Sequence, residues 1–138
     1  DFVDLSGGGR SHTFFTGEES GVQHVGMDRV FDPELTASLH EADPSLQDAG
    51  VYVCTNGPRL ETPAEIRMFK GLGFDVVGMT AATEVALARE LGITVASLAY
   101  SINWAAGVGS DAVAFIGDGE IAKLKDTMIA LCLKVFGA

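Results

Sequence analysis

A chain of 138 residues, 47% apolar and 20% charged, has the size and balance of one globular domain, which argues against a multidomain chain and excludes a disordered or fibrous one. Nine Lys+Arg against nineteen Asp+Glu leave a formal charge of -10 with no local basic cluster, so nucleic acid and anionic membranes are poor partners. The two cysteines, Cys54 and Cys132, lie in apolar runs, and Asp1-Phe2-Val3-Asp4 lacks the regions of a signal peptide, which favours a reduced, cytoplasmic setting.

In chain order, Gly7-Gly8-Gly9, Gly17, Gly21 and Gly26 predict loops around short strands over the first thirty residues. Asp32 as N-cap and Pro33 in the first turn predict a helix to about Ala42, followed by a turn from Pro44 to Gly50. From Val51 the pattern alternates strand and helix, as in an α/β sheet flanked by helices. The strands are expected over Val51–Thr55, Phe74–Met79 and Ile93–Ile102. Thr62-Pro63-Ala64-Glu65 has the spacing of a capping box, with Ile66, Phe69 and Leu72 following at helical spacing before Gly73. A second helix is expected from Glu84 to Leu91, stopped by Gly92. Ile121, Leu124, Met128, Leu131 and Val135 form one stripe of a closing helix from about Gly119 to Phe136. Leu91 to Ser110 runs 20 residues without a charge. Its Thr94, Ser97, Ser101 and Asn103, the glycines Gly107 and Gly109 and the β-branched Ile93-Thr94-Val95 fit a buried strand entering a loop better than a membrane span.

In such sheets ligands collect where strands end and helices begin. Three strand ends carry polar residues: Asn56-Gly57-Pro58-Arg59-Leu60-Glu61, Met79-Thr80, and Ser101-Ile102-Asn103-Trp104. Each also has a local explanation as a turn, a helix cap, a charge complementing a helix dipole, or a backbone bond at a strand end.

Together, Gly57-Pro58-Arg59-Leu60-Glu61-Thr62, then Gly78-Met79-Thr80, then Asn103 resemble the purine nucleoside phosphorylase and methylthioadenosine phosphorylase family. Ala64-Glu65, Glu84, Leu87-Ala88 and Glu90 agree with the same pattern, and Asp4-Leu5 with Thr13-Phe14-Phe15 look like its mid-chain segment. The resemblance implies an α/β fold with a mixed central sheet flanked by helices. It implies a pentosyltransferase that cleaves N-glycosidic bonds of purine nucleosides with phosphate, assembled as a trimer or as a hexamer of paired trimers. By position, Leu60 would lie on the purine face, where the family often has Phe. Met79 would lie against the ribose, and Thr80 would hold phosphate with its hydroxyl and backbone N–H. His24 would reach the sugar 5' region of a neighbouring subunit's site, whereas His12 and His40 have no motif support. Glu84 is read as anchoring its helix.

The residue types fit that chemistry. Phosphorolysis passes through an oxocarbenium-like sugar while negative charge builds on the leaving purine, so a donor is needed near N7 and O6 and an anion site beneath the anomeric carbon. Asn103 is the expected donor and catalytic residue, and Thr80 at a helix start supplies part of the anion site. An ionised Glu61 accepts the N1 proton of a 6-oxopurine but faces the N1 lone pair of a 6-aminopurine unfavourably. Aminopurine-specific relatives usually have two Asp at the third strand end, where this chain has Asn103 and Ala105. Inosine, guanosine or 5'-methylthioinosine types are therefore the expected substrates, with inorganic phosphate as co-substrate and no metal or other cofactor. No Cys/His metal-ligand spacing occurs in the sequence.

Chains of that family are longer, with an N-terminal half that opens the sheet and provides the other phosphate ligands. Residues 1–138 are accordingly expected to be the C-terminal half of one phosphorylase-like domain, working with a separate chain that carries the N-terminal half, from a split gene or a cleaved precursor, with a truncated piece as the alternative. Two alternatives are a noncatalytic purine-binding or regulatory subunit, and a nucleoside hydrolase on the same fold.

Overall fold

Three short strands form a parallel sheet in the order β1-β2-β3: β1 Phe2–Asp4, β2 Tyr52–Cys54 and β3 Val76–Gly78. The structure, a computed structural model, describes residues 1–47, 50–109 and 112–137. Val53 is the hub of the sheet, paired with Val3 on one side and Val77 on the other. It is fully buried, as is Cys54 beside it. Parallel strands need crossover connections, and helices supply them: α1, Pro33–Ala42, lies between β1 and β2, and α2, Pro63–Gly71, between β2 and β3. A 3-10 turn spans Glu18–Ser20 in the long first loop.

Local chemistry sets the helix starts. The Asp32 carboxylate accepts from Leu35 N at 2.8 Å, as the Asp-Pro pair predicts. At α2 the box closes both ways, Glu65 N donating to Thr62 Oγ1 at 3.2 Å and Thr62 N to Glu65 Oε2 at 2.7 Å. Helix α3, Ala81–Glu90, begins three residues before the predicted Glu84, because Ala81 and Ala82 extend the helix back to the end of β3. Gly92, at φ +70°, ends it as expected. Helix α4, Asp118–Phe136, packs on α1. Leu131 is buried on that face and Leu124, Met128 and Val135 half-buried, while Ile121 stays exposed.

Ile66 and Phe69 of α2 close over Val53, and Phe74, Val77, Ala105, Ala106 and Val108 pack around them. Loop 105–109 thus belongs to the core, and it also meets the first residue of α2, where a Cβ on Gly107 would lie 3.0 Å from Pro63 Cβ.

One expectation needs revision. The segment expected as a strand over 93–102 forms no strand pairing among the described residues. It is tied by Asp32 N to Val95 O at 2.8 Å and by Ile116 N to Ile102 O at 2.9 Å. A strand is a property of a pair, and β-branched residues cannot form one without a neighbour in register. Pro44 and Ser45 form a turn within the expected Pro44–Gly50, and Asp48 and Ala49 of that stretch lie outside the described residues. Among the described residues, no helix is long and apolar enough to cross a membrane.

Candidate active site

A cavity of about 740 Å³ runs along β2 and the whole of β3, lined by Tyr52 and Val53, by residues 74–79 and by segment 99–106. Leu60, Glu61, Met79 and Asn103, from three different segments, all line it, together with Trp104 and Tyr52.

The loop after β2 presents Leu60 and Glu61, and its conformation is fixed from both flanks. On the far side, Arg59 grips Glu65 through two bonds, Nη1 to Oε2 at 2.9 Å and Nη2 to Oε1 at 2.7 Å. Glu65 is also the capping-box carboxylate, so one side chain joins the loop to α2. The Arg59 guanidinium, followed by the Thr62 N–H, holds the Glu65 carboxyl down at about 2. On the near side, Thr55 Oγ1 donates to Glu61 Oε1 at 2.6 Å. Glu61 Oε2 carries no hydrogen bond among the described residues.

Met79 follows β3 immediately, and the loop passes close over it: a Cβ on Gly57 would lie 2.6 Å from Met79 Sδ. A side chain at position 57 would push Met79 off the cavity wall. Asn103 is half-buried, and its Nδ2 donates to the carbonyl of Trp104 at 3.0 Å. Its amide thus sits at the cavity with one local partner, and a second Nδ2–H remains to serve a ligand.

Thr80 lies at the N-cap of α3 next to this cavity and does not line it. Its side chain makes no capping bond, while its carbonyl accepts from Glu84 N at 3.3 Å. Among the described residues, the helix start therefore has no side-chain cap from Thr80, whose hydroxyl is exposed beside the first N–H groups of α3. Arg10, just after the triple glycine, donates through Nη1 to the carbonyl of Met79 and brings a cation to the same corner. His24 stands apart. It is exposed and absent from the cavity lining, and its neighbours Gln23 and Val25 line a second cavity of about 320 Å³ with Asp4, His12 and Glu90.

Sequence reasoning missed Thr55 and Arg10. Arg10 bonds a residue 69 positions away, which no local pattern reveals. Thr55 was visible as a hydroxyl residue ending a strand, but its target lies around a turn. Among the described residues, no group of three or more His, Cys, Asp or Glu is placed to hold a metal ion.

A family model described as the phosphorylase superfamily matches residues 1–133. The chain is 46% identical over 138 residues to the probable 6-oxopurine nucleoside phosphorylase of Korarchaeum cryptofilum, covering 90% of this chain and 50% of that one. It is 46% identical over 112 residues to the probable S-methyl-5'-thioinosine phosphorylase of Methanopyrus kandleri, covering 78% and 42%. Among solved structures it resembles methylthioadenosine phosphorylase from Schistosoma mansoni in complex with adenine, at 26% identity and a TM-score of 0.78, covering 97% of this chain and 55% of that one. The chain spans about half the length of the curated relatives it matches.

Proposed function

The chain belongs to the phosphorylase superfamily, and from that premise we propose that it carries the base-recognising half of an enzyme that cleaves 6-oxopurine nucleosides with phosphate, giving free base and sugar 1-phosphate. The observation that carries the reading is the convergence of Leu60, Glu61, Met79 and Asn103 on one cavity. The names of the relatives support the base class, and leave both a 5'-hydroxyl and a 5'-methylthio sugar within the proposal.

On this reading Glu61 Oε2 accepts the N1 proton of the base, and the Asn103 amide donates to N7 or O6. Charge grows on the purine as the glycosidic bond breaks, so a preorganised donor there acts more strongly on the transition state than on the bound nucleoside. Leu60 supplies an apolar contact to the ring face, and Met79 packs against the ribose. Phosphate, the co-substrate, sits at the start of α3 on Thr80, with no metal or other cofactor required. Bound there, it is held for attack on the anomeric carbon by proximity.

We assign the remaining phosphate ligands to the part of the relatives' length that residues 1–138 do not span. Trimers or hexamers of such units, in the cytoplasm, complete the proposal, with His24 serving a neighbour's site. The deciding assay follows inosine and adenosine cleavage in the assembled enzyme with and without phosphate. Phosphate-dependent release of hypoxanthine with ribose 1-phosphate is expected. Release of free ribose without phosphate would make the protein a hydrolase, and purine binding without turnover a noncatalytic subunit.

A further inference from the structure

Thr55 follows β2 immediately and lies outside the cavity lining, while its partner Glu61 lies on it. The Thr55 oxygen is 2.6 Å from Glu61 Oε1 and 3.4 Å from the carbonyl of Gly78. A hydroxyl has one proton to give, and the nearer, charged acceptor takes it. The Thr55 backbone is itself fixed, its N–H donating to that same carbonyl at 2.9 Å. The hydroxyl is therefore held from the sheet, and both side chains are half-buried.

We infer that Thr55 is a positioning residue that sets the base specificity of the cavity by fixing the Glu61 carboxylate. The inference rests on the reading of Glu61 as the acceptor for N1–H. An untethered Glu side chain rotates about three bonds and loses that freedom when it binds. With Oε1 committed to Thr55, the carboxylate plane is set before substrate arrives and Oε2 is left as an acceptor toward the base edge. A 6-oxopurine finds a ready partner for its N1 proton. A 6-aminopurine presents a lone pair to an oxygen that the tether prevents from swinging away, so the tether adds discrimination as well as affinity.

Thr55→Val keeps the branched shape and removes the donor, and Thr55→Ser keeps the donor. In the complete enzyme, Thr55→Val is expected to lower kcat/KM for inosine about tenfold while adenosine changes by less than about twofold. Thr55→Ser restores the inosine preference, and Thr55→Val added to Glu61→Ala has no further effect. Thr55→Ala, made in parallel, gives the same comparison if the Val variant does not fold. Equal losses on both substrates, a Ser variant no better than Val, or additive losses in the double variant would each overturn the positioning role. If Glu61→Ala abolishes the inosine preference and Thr55→Val keeps it, the Glu61 reading stands and Thr55 alone fails. A wild-type enzyme that prefers adenosine overturns both.

Discussion

Gly78 and the ring of Tyr52 share the space of a single side chain: a Cβ on Gly78 would overlap the Tyr52 hydroxyl and lie 2.7 Å from Cζ. The two residues are on adjacent strands, and Tyr52 lines the cavity. Gly78→Ala must therefore swing the ring. It should cost about 1–3 kcal/mol, the usual range for overpacking, and should raise the nucleoside KM. Thermal unfolding of Gly78→Ala, Tyr52→Leu and the double variant checks it, with the double variant less destabilised than the sum of the two.

Removing the Asn103 amide should act mainly on the rate. Asn103→Ala is expected to lower kcat more than it raises KM, by roughly 3 kcal/mol, the scale for losing one preorganised donor. Asn103→Asp should shift relative activity toward adenosine types, since a protonated carboxyl serves N7 of an aminopurine while an ionised one opposes a 6-oxo group. Steady-state kinetics on inosine and adenosine decide the matter. A change confined to KM would make Asn103 a ground-state contact.

Thr80→Ala should weaken phosphate use, by on the order of 1–3 kcal/mol for a lost bond to a charged group, and leave nucleoside binding nearly untouched. Because the Thr80 hydroxyl makes no capping bond to α3, the thermal midpoint should escape the loss of about 1 kcal/mol that follows removal of a cap. Phosphate titrations and melting curves on one preparation separate the two effects. A large fall in melting point would show that the hydroxyl serves the helix.

Acid should loosen the loop that presents Glu61. The Arg59 guanidinium holds Glu65 down at about 2, below its ordinary 4.5. The folded group is thus the stronger acid, so its contribution is complete above the ordinary value and disappears as pH falls through the folded one. Glu65→Gln keeps the cap geometry but not the charge. Its melting point should depend less on pH than wild type between those two values. Identical slopes would mean that the clamp does not couple to folding.

Signals confined to a few neighbouring residues were legible. The start of α2 needed only Thr62 and Glu65, that of α1 only Asp32 and Pro33, and the face of α4 only its period. What depended on distant partners was not. Ile93–Ile102 has the residues of a strand, yet a strand needs a neighbour, which the described residues do not give it. Helix α3 was placed late because Ala81 and Ala82 carry no capping signal of their own. Leu60, Glu61 and Met79 share one cavity because they follow neighbouring strands of a parallel sheet, a rule of topology that sequence order lets one apply. Asn103 instead reaches it on a segment without strand pairing among the described residues. The bond from Arg10 to Met79 follows no such rule.

The contact of Gly107 with Pro63 has a consequence for how such a site can change. Loop 105–109 rests on α2, and α2 also anchors, through Glu65, the loop that carries Leu60 and Glu61. Both segments therefore rest on one short helix. A substitution at Ile66 or Phe69 that tilts α2 would move both walls at once. Accommodating a larger base then draws on the same packing that keeps the sheet covered, so breadth of substrate and thermal stability should trade against each other along that one helix.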